Sequence, residues 1–201
     1  MLPTTLRRAG LLLVPCIAVL LAAPARAHHL IDITSLQPSL FNGLLSGLAH
    51  PVIGPDHLLF LVALALTGLT QRRRWMLALL VTGLLGSAAG LIGPGLVGAE
   101  LLVSLTLVVE ALVLAQRLPR LVLLPAMALH GYVLSASVVG WSAMPVASYL
   151  AGLLLSQGSL LLLALWWMQP FASRLQRHGR AAVVAGLIGF GLISAAGQAL
   201  A

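Results

Sequence analysis

Six long apolar runs, joined by short polar loops, constrain this chain more than any other feature. They cover residues 40–70, 75–92, 100–116, 121–140, 145–168 and 181–200. A bilayer core of about 30 Å takes about 20 helical residues to cross. Five of the runs therefore read as ordinary transmembrane helices, and the first is overlong. Only 7% of the residues are charged and 60% are apolar, against roughly 25% charged in soluble domains. A chain of this kind cannot cover itself with solvated side chains, so its solvent is lipid. The expected fold is all-α: a polytopic membrane bundle of six transmembrane helices after a cleavable signal peptide.

The signal is expected over residues 1–27. Arg7 and Arg8 form a basic start, residues 11–22 an apolar segment too short for a comfortable span, and Ala25-Arg26-Ala27 a small-x-small cleavage pattern. Residues 28–201 then form the six-helix domain. The single Cys16 lies inside the signal, which excludes a disulfide framework and a thiolate metal site.

The net charge of +7 comes entirely from arginine, clustered between the apolar runs rather than spread over a face. This reports topology, not a nucleic-acid partner. With an exported N-terminus, Arg72, Arg73 and Arg74, then Arg117 and Arg120, then Arg174, Arg177 and Arg180 all fall on one side. The loops at 93–98 and 140–144 hold no basic residue. By the positive-inside rule the arginine side is cytoplasmic, and both termini face the periplasm of a bacterial inner membrane. Gly83, Gly86 and Gly90 in the second run, with Gly186, Gly189 and Gly191 in the sixth, offer small faces for helix packing. Trp166 and Trp167 read as an interfacial belt, and His178 as a solvated loop residue.

A charged group at mid-bilayer costs about 2.5–3.5 kcal/mol on insertion scales, so ionisable residues there need a reason. This chain gathers three in one segment of its overlong first run, His50-Pro51-Val52-Ile53-Gly54-Pro55-Asp56-His57. On a straight helix His50 and His57 would stand about 10 Å apart. Pro51, Gly54 and Pro55 make a straight helix improbable, because proline removes an amide donor and clashes with the preceding turn. A break over Pro51–Pro55 would let His50 turn back towards Asp56 and His57, with Asp56 capping the second half. Unwound backbone at membrane depth is tolerated where it is buried or lines a polar cavity. Discontinuous helices of this kind form ion sites in many transporters. Two imidazoles and a carboxylate suit Ni²⁺, Co²⁺ or Zn²⁺ better than Cu⁺ or Mg²⁺.

The element His50-x5-Asp56-His57, in the first span of a small six-helix protein just behind a signal, resembles the HupE/UreJ family. Those are membrane proteins associated with hydrogenase and urease gene sets and taken to be nickel or cobalt permeases. The family carries a second motif in its fourth span, of the form F-H-G-x-[AV]-H-G-x-E. The matching stretch here runs from Leu129 to Ser137: His130, Gly131 and Val133 are retained, Leu134 stands in place of the second histidine and Ser137 in place of the acid. The resemblance implies a secondary permease or facilitator, not an enzyme. It also implies no permanently bound cofactor, a divalent metal as cargo (nickel or cobalt, or else zinc), and His50, Asp56, His57 and His130 as its ligands.

Depth arithmetic keeps His130 in reach of the first span. It stands ten residues above Arg120, about 15 Å, and His57 stands 15 above Arg72, roughly 22 Å, a difference helix tilt can close. Glu110 is a candidate for the ion path, as is Glu100 near an outer entrance. His28 and His29, freed at a new N-terminus, are candidates for metal capture. The expected partners are the bilayer and the metal ion, with a homo-oligomer left open and no nucleic acid or nucleotide: the chain lacks a G-x-x-x-x-G-K-[ST] loop. Two other functions compete. One is an intramembrane zinc hydrolase in which His50, His57 and His130 hold the metal and Asp56 orients water. The other is a non-transporting hydrogenase or urease accessory protein that keeps the first motif for structure.

Overall fold

A computed structural model describes residues 37–68, 73–93, 95–172 and 177–200. The expected signal peptide and the pair His28 and His29 lie outside these. Among the described residues the chain is helical and contains no strand. The helices are α1 (Leu40–Ile53), α2 (Pro55–Gly68), α3 (Arg73–Ile92), α4 (Ala99–Leu114), α5 (Leu123–Leu134), α6 (Ala143–Ala172) and α7 (Arg177–Leu200). A short 3₁₀ turn precedes α5 at Arg120–Val122, and another follows it at Ser135–Val138.

The overlong first run is two helices. Ser39 starts α1 by accepting a hydrogen bond from the Asn42 amide at 3.1 Å. The helix ends at Ile53, Gly54 takes an extended conformation (φ −75°, ψ 109°), and Pro55 opens α2. The two halves are bent by 73°. Proline suits a first helical position, where its missing amide hydrogen has no partner to lose.

Length separates the remaining elements. Among the described residues, four helical segments are long and apolar enough to cross a bilayer: Arg74–Ile92, Arg120–Val138, Ala143–Trp167 and Gly179–Leu200. The bent pair α1–α2 makes a fifth if it counts as one span. The run expected over 100–116 forms α4, which has only 16 residues and is about 24 Å long. Its start is fixed by Gly98 at φ 75° and its end by Gln116 at φ 60°, two left-handed residues that confine it. By length, four to five spans are thus found among the described residues, and the remaining expected run, α4, is shorter than these. Large apolar side chains such as Leu85, Leu162, Trp166 and Ile193 are exposed, as befits a multi-pass protein whose outer face meets lipid.

The helices associate mainly as pairs, α1 on α6, α3 on α5 and α4 on α7, with α2 packed against α6 and α4. Lipid supplies no hydrophobic drive between helices, so close backbone approach and polar contacts hold them. A Cβ at Gly47 would run into the Tyr149 carbonyl of α6, and one at Gly86 into the Ala128 carbonyl of α5. Ser87 Oγ donates to the Gly131 carbonyl at 3.0 Å and Ser135 Oγ to the Ser87 carbonyl at 2.8 Å, tying α3 to the α5 segment. Ser104 and Ser194 meet at 2.9 Å between α4 and α7. Of the expected small face on α7, Gly191 packs on α4, whereas a Cβ at Gly186 or Gly189 would meet nothing within 4 Å among the described residues. The core is a cluster around Phe60, Leu64, Leu79, Leu107, Met127 and Leu161, drawn from α2 to α6.

Candidate metal centre

The break at Gly54 sets the geometry of the first motif. His50 sits on the last turn of α1, and Asp56 and His57 on the first turn of α2. The bend brings the His50 and His57 rings to a centroid separation of 6.2 Å, edge to face. Gly54 is itself required there, because a Cβ would come 2.7 Å from Cδ2 of His57. Asp56 places its carboxylate at the positive end of α2, where Oδ1 accepts a hydrogen bond from the His57 amide at 2.9 Å. All three residues are buried.

His130 reaches the same place from α5. Its Nδ1 and that of His57 share a hydrogen bond at 2.6 Å. Phe60, one turn along α2 from His57, stacks on the His130 ring at a centroid distance of 4.0 Å and 14° between planes. On its far side His130 meets Thr106 of α4, with Nε2 and Oγ1 2.7 Å apart. Three helices thus converge on one buried histidine.

His50 has its own support. Its Nδ1 lies 2.9 Å from the Tyr149 hydroxyl of α6 and 3.5 Å from Ser137 Oγ. Tyr149 in turn donates its hydroxyl hydrogen to the Leu134 carbonyl. Ser137, which stands where the resembled motif has its acid, thus lies against His50, and Leu134, in place of the motif's second histidine, meets Tyr149 through its carbonyl.

Two buried polar atoms in this cluster, Nε2 of His57 and Oδ2 of Asp56, have no hydrogen-bond partner among the described residues. Burying such atoms without a partner is costly. A cation would satisfy the carboxylate oxygen, and the imidazole nitrogen too where it carries no hydrogen. The donors are gathered but not closed: among the described residues, no group of three His, Cys, Asp or Glu side chains is arranged to hold one metal ion.

Glu110 is fully buried on α4, and among the described residues neither carboxyl oxygen has a hydrogen-bond partner. It stands one turn from Thr106 on the same face of that helix. Glu100 belongs to the first turn of α4 and is half-buried. Sequence reasoning missed Thr106, Tyr149 and Phe60. Thr106 had a signal, a hydroxyl four residues before an intramembrane glutamate. Tyr149 and Phe60 had none, because an aromatic residue in an apolar helix reads as core.

A family model described as HupE / UreJ protein matches residues 16–200. No curated protein and no solved structure matches the chain.

Proposed function

The chain belongs to the HupE/UreJ family, and from that premise we propose that it carries a divalent transition metal, nickel or cobalt, across the bacterial inner membrane. The cation is bound by His50, Asp56 and His57 at the break of the first span, and His130 takes part from α5. The observation that carries this reading is a pair of buried polar atoms at the break, Nε2 of His57 and Oδ2 of Asp56, that lack a hydrogen-bond partner among the described residues. An imidazole nitrogen and a carboxylate oxygen form the mixed N/O set that suits nickel, cobalt or zinc.

Orientation follows the arginines, which open α3 and α7 and the turn before α5. The positive-inside rule makes those ends cytoplasmic and directs both termini to the periplasm. Glu110 lies on the ion path, between the histidine cluster and the cytoplasmic end of α4.

The test is uptake of labelled nickel and cobalt by cells lacking the protein, complemented with wild type or His57→Ala. Wild type restores uptake, and the variant loses at least about tenfold in apparent affinity, the lower end of what disturbing a metal site costs. Wild-type uptake by a His57→Ala protein present at normal level refutes the reading.

The accessory role is the second reading, favoured by Leu134 and Ser137 at the second motif. Equilibrium dialysis of purified protein against each metal separates the two. Binding that Asp56→Asn weakens speaks for the carrier, and no binding by wild type speaks for the accessory protein.

A further inference from the structure

The outer end of α5 changes its winding beside His50. Its α-helical turns stop at Leu134, and Ser135–Val138 continue as a 3₁₀ turn. Such a stretch has poorer hydrogen bonds than an α-helix and often marks a functional hinge. A cause for the tighter winding is in contact with it: the Tyr149 hydroxyl of α6 donates to the Leu134 carbonyl. In a continuing α-helix that carbonyl would serve the Val138 amide, four residues on. With the phenol on it, the chain closes on the residue three along instead.

The segment is fixed at one end and loosely held beyond it. Ser135 is fully buried and donates to the Ser87 carbonyl of α3 at 2.8 Å. After it the contacts lengthen. Ser137 Oγ lies 3.4 Å from the Leu134 carbonyl and 3.5 Å from Nδ1 of His50, and the Val139 amide lies 3.5 Å from the Ala136 carbonyl. Hydrogen bonds centre on about 2.7–3.0 Å, so these are weak. Gly140 then turns the chain at φ 86°, a conformation that glycine adopts at no steric cost. Residues 136–139 thus hang between a fixed point at Ser135 and a pivot at Gly140.

This segment covers the candidate cation site. Ser137 touches His50, Val138 is fully buried against Tyr149 and Leu153, and Ala136 and Val139 are exposed. One layer of chain therefore separates His50 from the surface at the end away from the arginines. One turn before His50, on the same face of α1, the Ser46 hydroxyl is buried with no hydrogen-bond partner among the described residues. Hydroxyls elsewhere in the bundle, such as those of Thr67, Ser87 and Thr106, give their hydrogen to a carbonyl three or four residues back. Ser46 does not, and it is a polar group that entering water or an ion would meet.

We infer that Ser135–Val138 is the outer gate of the cation site, a segment with two windings, and that the Tyr149 hydroxyl latches it closed. On opening, Tyr149 gives up the Leu134 carbonyl and the Val138 amide takes it. The helix gains a turn, and Ser137 rotates away from His50. One hydrogen bond replaces another, so the two windings lie close in free energy. The inference takes its purpose from the carrier reading, but the motion itself requires no metal.

The test is the rate at which Ser137→Cys, in a Cys16→Ser background, reacts with a membrane-impermeant thiol reagent in intact spheroplasts without added metal. Ser142→Cys, beyond the pivot, is the reference. With Tyr149 present, Ser137→Cys is expected to react to completion but more slowly than the reference. Adding Tyr149→Phe speeds it by roughly 2- to 13-fold, the range that loss of a net hydrogen bond of about 0.5–1.5 kcal/mol gives, and leaves the reference rate unchanged. A second readout leaves Ser137 intact. In serine-labelled full-length protein in lipid nanodiscs, Tyr149→Phe moves the carbon-13 shifts of Ser135 and Ser137 towards α-helical values, a change that loss of packing alone would not produce. Unchanged rates and shifts in a folded Tyr149→Phe protein overturn the inference. Where that variant does not fold, Ser137→Cys alone decides: reaction as fast as the reference, or none, overturns it. Gate motion without nickel or cobalt uptake refutes the carrier reading alone; uptake with a gate that ignores Tyr149 refutes this inference alone.

Discussion

A methyl group at position 54 would come within 2.7 Å of Cδ2 of His57 and 3.3 Å of Oδ1 of Asp56. The ring cannot yield freely, because its Nδ1 is tied to His130. Gly54→Ala is therefore expected to leave the bundle folded but to displace His57, lowering metal affinity by about 10–100-fold, as loss of a supporting contact does elsewhere. Calorimetric titration with nickel, beside circular dichroism of the same sample, checks this; unchanged affinity would show that the ring position is not critical. Phe60 offers the complementary prediction. It is fully buried and stacked on His130, so Phe60→Ala costs about 3–5 kcal/mol of stability, measured by denaturant unfolding in detergent. The first motif was legible because lipid makes ionisable residues conspicuous. Its supports were not: Phe60 and Tyr149 differ from core residues only in what they face, and facing is decided by the fold.

At the scale of the element, the break in the first span could be read from Pro51, Gly54 and Pro55, since proline and glycine act on the backbone locally. The shortness of α4 could not. Its bounds depend on Gly98 and Gln116 in left-handed conformations, and nothing in the apolar pattern marks a glutamine for such a role. Packing faces were half legible. The glycines of α3 meet α5, while a Cβ at Gly186 or Gly189 of α7 would meet nothing within 4 Å among the described residues, because a small residue permits close approach without compelling it. The α1–α6 pair depends on that permission at Gly47, Gly43 and Gly152. Gly47→Leu is expected to force α1 off the Tyr149 carbonyl and, with it, His50 off the Tyr149 hydroxyl. Overpacking of this kind costs typically about 1–3 kcal/mol, seen as a lower midpoint of thermal unfolding. Gly186→Leu, placed in open space, should leave that midpoint unchanged.

For the molecule as a whole, the arginine pattern makes a prediction about sides. In a Cys16→Ser background, a cysteine replacing Arg117 is expected to react with a membrane-impermeant thiol reagent only after cells are opened. One replacing Ser142, in the loop before α6, should react in intact spheroplasts; the reverse result would invert the topology. Whole-molecule architecture was the most legible level, because lipid imposes it on composition before any particular contact forms. The exception is α4, and its length has a consequence for the surrounding membrane. A rod of about 24 Å falls about 6 Å short of a typical hydrocarbon slab of about 30 Å. Mismatch costs fractions of a kcal/mol per ångström, relieved by a locally thinner leaflet. Acyl chains beside Leu102, which α4 leaves exposed, must shorten or splay to meet it. Thermal stability in vesicles should therefore rise as phosphatidylcholine tails are trimmed from eighteen carbons towards fourteen, so that the lipid becomes a fitted component of the fold.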